Sequence, residues 1–146
     1  MRVVITGAAS GIGLSVAELL AADGGAHQLL LADRDVDGLA AAATRIGSAA
    51  APCVVDLSDN DCGIIIVAAA IAHMGGIDAV VSNAGIIAAG ALVDLKPEDF
   101  DRIYAVNTKA NWALAKSAYP HLAASKGAFV ATASMSASQP TPGLGF

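Results

Sequence analysis

Glycines near the N-terminus have a spacing that suits the binding of a phosphate group. The segment Thr6-Gly7-Ala8-Ala9-Ser10-Gly11-Ile12-Gly13 follows an apolar run at residues 3–5 and precedes a helical pattern. Where glycines join a strand to a helix, the backbone can approach a pyrophosphate, and the helix N-terminus favours its negative charge. The spacing is G-x-x-x-G-x-G, not G-x-G-x-x-G. We therefore expect a dinucleotide site whose binding residues here are Gly7, Ser10, Gly11, Ile12 and Gly13.

An acidic residue at the end of the next apolar run supports this interpretation. Asp33 closes the run at residues 28–32, twenty positions after Gly13, where a carboxylate can bind the adenosine ribose hydroxyls. A carboxylate bonds the free 2′-hydroxyl of NAD but repels the 2′-phosphate of NADP, whereas the neighbouring Arg34 could pair with that phosphate. We expect NAD to be preferred and NADP to be the weaker candidate. A glycine-rich turn beside a solvated aspartate is the structural alternative.

Together these residues resemble the short-chain dehydrogenase/reductase family, whose hallmark is T-G-x-x-x-G-x-G at the first strand-to-helix turn. The resemblance runs over residues 1–146. It implies that Asp56, followed by Leu57, contacts the adenine, and that Asn83-Ala84-Gly85 corresponds to the N-A-G segment after the fourth strand. It also supports NAD, because Ser10 stands where many NADP-preferring relatives carry a basic residue.

Two further residues match the active site of that family. The resemblance implies that Ser134 hydrogen-bonds the reacting oxygen and that Asn107 holds a water on the proton path. It also implies a catalytic Tyr-x-x-x-Lys pair about a dozen residues beyond the serine, which this sequence lacks. The tyrosines are Tyr104 and Tyr119, and neither has a lysine four positions later. Lys109 is five positions after Tyr104, which on an ideal α-helix turns the two side chains well apart.

The resemblance therefore implies an NAD-dependent oxidoreductase that acts on a secondary alcohol or ketone. We expect the chain to represent its cofactor-binding part, truncated after strand five and inactive by itself. The alternative is a catalytically silent module that binds NAD or associates with itself. In either case the apolar surface left uncovered, including residues 98–118, predicts a homodimer or a tetramer.

Composition limits the other classes of function. The 146 residues suit one dinucleotide-binding domain, residues 1–146, with 55% hydrophobic and 14% charged residues. A net charge of −5 argues against a nucleic-acid partner, and the longest apolar run, residues 64–72, is too short for a membrane anchor. Cys53 and Cys62 lack the spacing of a zinc site, so no metal is expected. Without a recognisable signal peptide, the expected location is the cytoplasm.

Apolar runs that alternate with helical patterns predict a doubly wound parallel α/β sheet. Strands are expected near residues 2–6, 28–33, 51–56, 78–82 and 127–133, in the spatial order 3-2-1-4-5. Asp35 is expected to precede the second helix, and Pro97 to begin a long helix that reaches about residue 118. Trp112 on that helix is expected in the core or in an interface. Residues 139–146 are expected to form a loop, which in the family would border the substrate.

Overall fold

A computed structural model describes residues 1–139 and Gly143. Its centre is a parallel sheet of five strands in the order β3-β2-β1-β4-β5, which confirms the predicted Rossmann-like architecture and strand order. The strands are β1 (Arg2–Thr6), β2 (Gln28–Asp33), β3 (Ala50–Val54), β4 (Ala79–Ser82) and β5 (Ala128–Ala131). The register aligns Val4 of β1 with Leu30 of β2 and with Val80 of β4.

Helices cover both faces of the central strands. Their bounds are α1 (Gly11–Ala22), α2 (Val36–Ile46), α3 (Cys62–Met74), α4 (Pro97–Tyr104) and α5 (Ala110–Ser125). Alternate residues of a strand point to opposite faces. Ile5 accordingly packs in the cluster that contains residues of α1 and α2, and Val4 packs in the cluster that contains residues of α3 and α5. The order of the strands reverses between β1 and β4, so the carboxyl ends of these strands flank a crevice.

Local sequence signals account for several helix ends. The carboxylate of Asp35 accepts a hydrogen bond from Gly38 N at 3.0 Å and so caps α2. Pro97 begins α4, and the Asp99 carboxylate accepts from Lys96 N at 3.1 Å. The helix expected over residues 98–118 is longer and interrupted, because a π-helical segment, Ala105–Lys109, joins α4 to α5. The interruption and the continuation to Ser125 were not predicted.

Trp112 does not belong to the core, because 60% of its surface is exposed. The expectation of a core position is therefore wrong, whereas an interface position stays a prediction. The Lys116 ammonium lies 5.0 Å from the centre of the Trp112 ring, a cation–π contact that leaves the rest of the indole open.

The margin at β5 is much less covered than the centre. Phe129 packs against the cluster that contains α3 and α5, but Val130 on the opposite face is 57% exposed. Most of the loop expected for residues 139–146 lies outside the described residues. Gly143 is described, and its carbonyl accepts a hydrogen bond from Gly90 N at 2.8 Å. Within the described part of the chain, no helix is long and apolar enough to span a membrane.

Candidate dinucleotide site

A cleft of about 490 Å³ opens at the carboxyl ends of β1, β2 and β4. Turns and loops that follow the strands form most of its wall, as expected for the crevice of an open α/β sheet. Its lining residues are Gly7, Ser10, Gly11, Ile12, Asp33, Arg34, Val55, Asp56, Leu57, Asn83, Ala84, Gly85, Ile86, Val106 and Thr132.

The glycine turn brings the start of α1 close to the end of β1. Gly7 has φ of +68°, a conformation that L side chains rarely adopt. A Cβ on Gly13 would overlap the carbonyl of Gly7, so a side chain there would separate the helix from the turn. The Ser10 side chain does not cap the helix, and the first turn of α1 contains no acidic residue. The N–H groups of that turn are thus suited to an anion.

Asp33 is held in place at the end of β2. Its Oδ2 accepts a hydrogen bond from Ala9 N at 3.1 Å, and its Oδ1 accepts one from Asp35 N at 3.1 Å. One bond ties the carboxylate to the glycine turn, and the other ties it to the start of α2. Arg34 is the adjacent residue and also lines the cleft. An acceptor and a cation therefore lie side by side on the same wall.

Asp56 follows β3 and lies in a local turn of the chain. Its Oδ1 accepts from both the backbone N–H and the hydroxyl of Ser58, each at 2.8 Å. These two bonds from Ser58 lower the pKa of the Asp56 carboxyl, with Arg34 and Arg102 adding smaller favourable effects. The group is an anionic acceptor at neutral pH. Leu57, the next residue, adds an apolar surface to the wall.

A buried hydroxyl connects the first and fourth strands beneath the cleft. Thr6 is fully buried, and its Oγ1 accepts hydrogen bonds from Asn83 N at 3.0 Å and from Ala84 N at 3.1 Å. The Asn83 Oδ1 atom in turn accepts from the hydroxyl of Thr132 at 3.1 Å. These bonds fix the segment Asn83-Ala84-Gly85 across the end of β1 and β4. The floor of the cleft is therefore built from backbone groups in fixed positions.

Asn107 lies in the π segment and binds the backbone that follows β4. Its Oδ1 accepts from Ile86 N at 2.8 Å, and its Nδ2 donates to Ile86 O at 2.9 Å. The Asn107 carbonyl accepts from Asn111 Nδ2 at 2.7 Å. The side-chain amide is therefore engaged in holding the loop, and what it retains for a water is the second hydrogen of Nδ2 and a lone pair of Oδ1.

Ser134 lies after β5 and does not line the cleft. Its hydroxyl accepts a hydrogen bond from Ser136 N at 3.1 Å and so caps the short 3₁₀ turn Met135–Ala137. The exposed hydroxyl remains able to donate a hydrogen bond to another acceptor. Thr132 is the residue of this segment that lines the cleft.

The other candidates for catalytic chemistry point to separate partners. The ring of Tyr104 stacks on that of Phe100, with centroids 6.2 Å apart. The Lys109 ammonium donates to Asn60 Oδ1 at 2.6 Å. Burial raises the pKa of the Cys53 and Cys62 thiols, which disfavours their reactive thiolate forms. Among the described residues, no group of three or more His, Cys, Asp or Glu side chains could hold a metal ion.

The cleft brings together most of the residues that the sequence singled out. Gly13 lies beneath the turn, while Asn107 and Ser134 lie outside the lining. Four lining residues were not anticipated: Val55, Ile86, Val106 and Thr132. Val55 and Thr132 directly follow β3 and β5, so the rule that sites form at the carboxyl ends of strands could have found them. Ile86 and Val106 carry no comparable signal.

A family model described as short chain dehydrogenase matches residues 1–146. Versicolorin reductase 1 from Aspergillus parasiticus is 34% identical over 125 residues. That alignment covers 82% of this chain but 46% of the relative, so the chain spans about half the length of the curated relatives it matches.

Solved structures share the same architecture. A 3-ketoacyl-(acyl-carrier-protein) reductase from Brucella melitensis, complexed with NADH, has a TM-score of 0.89 and 32% identity. A short chain dehydrogenase from Burkholderia cenocepacia, in complex with NADP, has a TM-score of 0.89 and 30% identity. The chain is covered to 97% and 98% in these comparisons, and the two solved chains to 60% and 59%.

Proposed function

Because this chain belongs to the short-chain dehydrogenase family, we propose that its cleft is the NAD site of an oxidoreductase acting on a secondary alcohol or ketone. Relatives bind NADH or NADP, which supports a nicotinamide cofactor of either type. The observation that carries the choice of NAD is the Asp33 carboxylate, which Ala9 N and Asp35 N hold at the wall of the cleft.

The residues of the cleft fit the parts of a dinucleotide. The start of α1 offers unpaired N–H groups without a competing acid, which suits the pyrophosphate. Asp33 accepts hydrogen bonds from the adenosine ribose, and a 2′-phosphate would be repelled there unless Arg34 compensates. Asp56 and Leu57 form the part of the cleft that contacts the adenine. The segment Asn83-Ala84-Gly85 then forms the wall toward the nicotinamide.

When bound, the cofactor supplies hydride transfer, while the chain itself positions the reacting groups. Ser134 is proposed to hydrogen-bond the oxygen of the substrate. Asn107 is proposed to hold the loop after β4 and, through its remaining donor and acceptor capacity, a water on the proton path. The Tyr-x-x-x-Lys pair that would carry the proton in this family is absent from residues 1–146.

The choice of cofactor is tested by calorimetric titration of NAD and NADP. Asp33→Ala should weaken NAD binding and reduce the discrimination against NADP, while Arg34→Ala should weaken NADP more than NAD. Asp37→Ala is a matched control, because it removes the same charge at an exposed position outside the cleft. If the NAD to NADP affinity ratio were the same in Asp33→Ala and in the unchanged protein, Asp33 would not be the ribose-binding acid.

A second candidate concerns residues 1–146 taken by themselves: without the tyrosine and lysine, this part of the protein would be a module that binds NAD but is catalytically silent. General acid–base catalysis typically contributes about 10²- to 10⁴-fold, and the loss of positioning adds to that. We therefore expect a protein of residues 1–146 to bind NAD without measurable oxidation of a secondary alcohol. Turnover at rates like those of complete family members would contradict this expectation.

The proposed partners are a small-molecule alcohol or ketone and further copies of the chain, as a dimer or a tetramer. Nucleic acid is not proposed, because the chain has a net charge of −5. The cytoplasmic location stays a prediction from the sequence. Both cysteines are free and buried.

A further inference from the structure

Lys109 is a cationic residue of the π segment to which the proposed function assigns no role. Its ammonium donates a hydrogen bond to Asn60 Oδ1 at 2.6 Å, which joins the π segment to the loop between β3 and α3. Asn107, two positions earlier, binds the backbone of Ile86 in the loop after β4. Two side chains of one short segment therefore contact the loops that follow two different strands.

The loop between β3 and α3, residues 55–61, carries part of the cleft wall. Asp56 and Leu57 of this loop line the cleft. Turn bonds join Asp59 N to Asp56 O and Cys62 N to Asp59 O, each at 3.2 Å. These bonds fix the local shape of the loop, whereas its position relative to the rest of the cleft depends on contacts with other elements.

The sheet and α5 hold the two ends of this loop. At its start, Val55 N donates to Asp33 O at 2.9 Å. Just beyond its end, a Cβ on Gly63 would overlap the carbonyl of Ala113, so the backbones of α3 and α5 approach each other closely there. Lys109 contacts the loop between these two ends. Its bond can therefore be removed by a side-chain substitution without disturbing either end.

We propose that Lys109 is a positioning residue for the part of the cleft that contacts the adenine. Through Asn60, it holds the loop where Asp56 and Leu57 meet the adenine, so the loop is ordered before the cofactor binds. Ordering a loop in advance favours binding, because the entropy of fixing the loop is not lost in the binding step. This inference rests on the proposed function, which assigns the adenine to this wall.

The charge of Lys109, acting without the bond to Asn60, is the competing explanation for an effect on binding. Residues 56–61 include three aspartates and no cation. A charge acts over about 8 Å at physiological ionic strength, so the ammonium could influence these carboxylates without a direct contact. An effect of charge does not require Asn60, whereas the proposed link does. Substitution of both partners therefore separates the two explanations.

The binding test uses calorimetric titrations of NAD, AMP and nicotinamide mononucleotide. Lys109→Met removes the donor but keeps a long side chain, and it should weaken NAD and AMP binding about two- to tenfold, the usual range for one hydrogen bond. Nicotinamide mononucleotide lacks the adenine and should bind as before. Lys109→Arg retains a donor and should restore the affinity. Equal losses for AMP and nicotinamide mononucleotide would overturn the proposal, as would an unchanged affinity for AMP.

Two further comparisons identify the contact that is responsible. Lys116→Met removes the same charge from an exposed position of α5 outside the cleft, and it should leave AMP affinity unchanged. Asn60→Ala should weaken AMP binding as much as Lys109→Met does. The double variant should bind AMP no more weakly than either single variant, because both changes remove the same bond. Losses that add fully in the double variant would instead support the effect of charge and contradict the link.

Hydrogen exchange in the absence of cofactor tests the link by itself. In Lys109→Met, the amides of Asp59 and Cys62 should exchange about two- to tenfold faster than in the unchanged protein, while the exchange of Val55 should stay the same. Equal exchange at Asp59 and Cys62 in the two proteins would rule the proposal out. If the unchanged protein bound neither NAD nor AMP, the proposed function would fail, but this measurement would still decide whether Lys109 holds the loop.

Discussion

The centre of the sheet and its β5 margin both consist of short apolar strands but have very different surroundings. Leu30 in β2 and Val130 in β5 both belong to short apolar strands of the same parallel sheet. Leu30 is 1% exposed because helices cover both faces of β2, whereas Val130 is 57% exposed because the described helices cover only the other face of β5. An apolar run therefore predicts a strand, and the neighbours of that strand determine how much it contributes to stability.

The largest contrast is expected from truncating these two side chains. Leu30→Ala should lower the free energy of unfolding by about 2–5 kcal/mol, because it leaves a cavity between packed layers. Val130→Ala should change the free energy of unfolding by less than about 0.5 kcal/mol, because that side chain is mostly exposed. Urea unfolding monitored by circular dichroism measures both variants. Similar losses in the two would mean that the β5 face is covered in solution.

A smaller loss of stability is expected from a change at Thr6, where the central strand β1 ends at the cleft. Thr6→Val keeps the shape of the side chain but removes the acceptor shared by Asn83 N and Ala84 N. Unpaired buried donors typically cost about 1–3 kcal/mol, so stability should fall by about that amount and NAD should bind more weakly. Thr6→Ser retains the hydroxyl and should preserve NAD affinity. Equal NAD affinity in Thr6→Val and the unchanged protein would show that the segment holds its position without Thr6.

The smallest effect on stability is expected at the ion pair between Arg2, at the start of β1, and Asp78, just before β4. The side chain of Arg2 donates to both carboxylate oxygens of Asp78, and Arg2 N donates to Oδ2 at 2.8 Å. The side-chain bond from Arg2 is the main cause that lowers the pKa of Asp78 to about 2. Because this pKa is below that of the unfolded chain, the stabilisation is present above about pH 4 and is lost as the pH falls toward 2.

Asp78→Asn should therefore reduce the acid sensitivity of the melting temperature between about pH 4 and pH 2. The unchanged protein is the reference, because other carboxylates titrate in the same range in both proteins. The two melting curves should approach each other as Asp78 becomes protonated. A constant difference in melting temperature across this interval would contradict a pH-dependent contribution from Asp78.

Local signals were sufficient for most of the fold and for the glycine turn and Asp33 in the cleft, whereas Asp56 and the segment Asn83-Ala84-Gly85 were expected from the family resemblance. Apolar runs and turn residues located the strands, and the rule for crossover connections favoured the doubly wound sheet for which the order 3-2-1-4-5 was expected. Gly7 and Asp33 were found because a phosphate-binding turn and a ribose-binding acid have a characteristic spacing along the chain. Each of these features depends on residues that are close in sequence or on a general rule of topology.

Features that depend on distant contacts could not be predicted in the same way. The hydrogen bonds that Asn107 exchanges with Ile86 join two segments without a shared sequence pattern. The exposure of Trp112 depends on which elements lie beside α5. The residues in the π segment have no composition that distinguishes them from an ordinary helix, so the interruption was not expected.

The π segment also determines how far the side chains of α5 are rotated about the helix axis relative to those of α4. A π turn contains one extra residue, and each residue of an α-helix corresponds to a rotation of about 100°. A helical wheel drawn continuously from α4 through α5 therefore assigns the later residues to the wrong side by roughly that angle. Deleting one residue from Ala105–Lys109 would restore a regular helix but rotate Asn107 relative to one of its two flanking helices. The length of this helix is thus coupled to the orientation of the amide that holds the wall of the cleft.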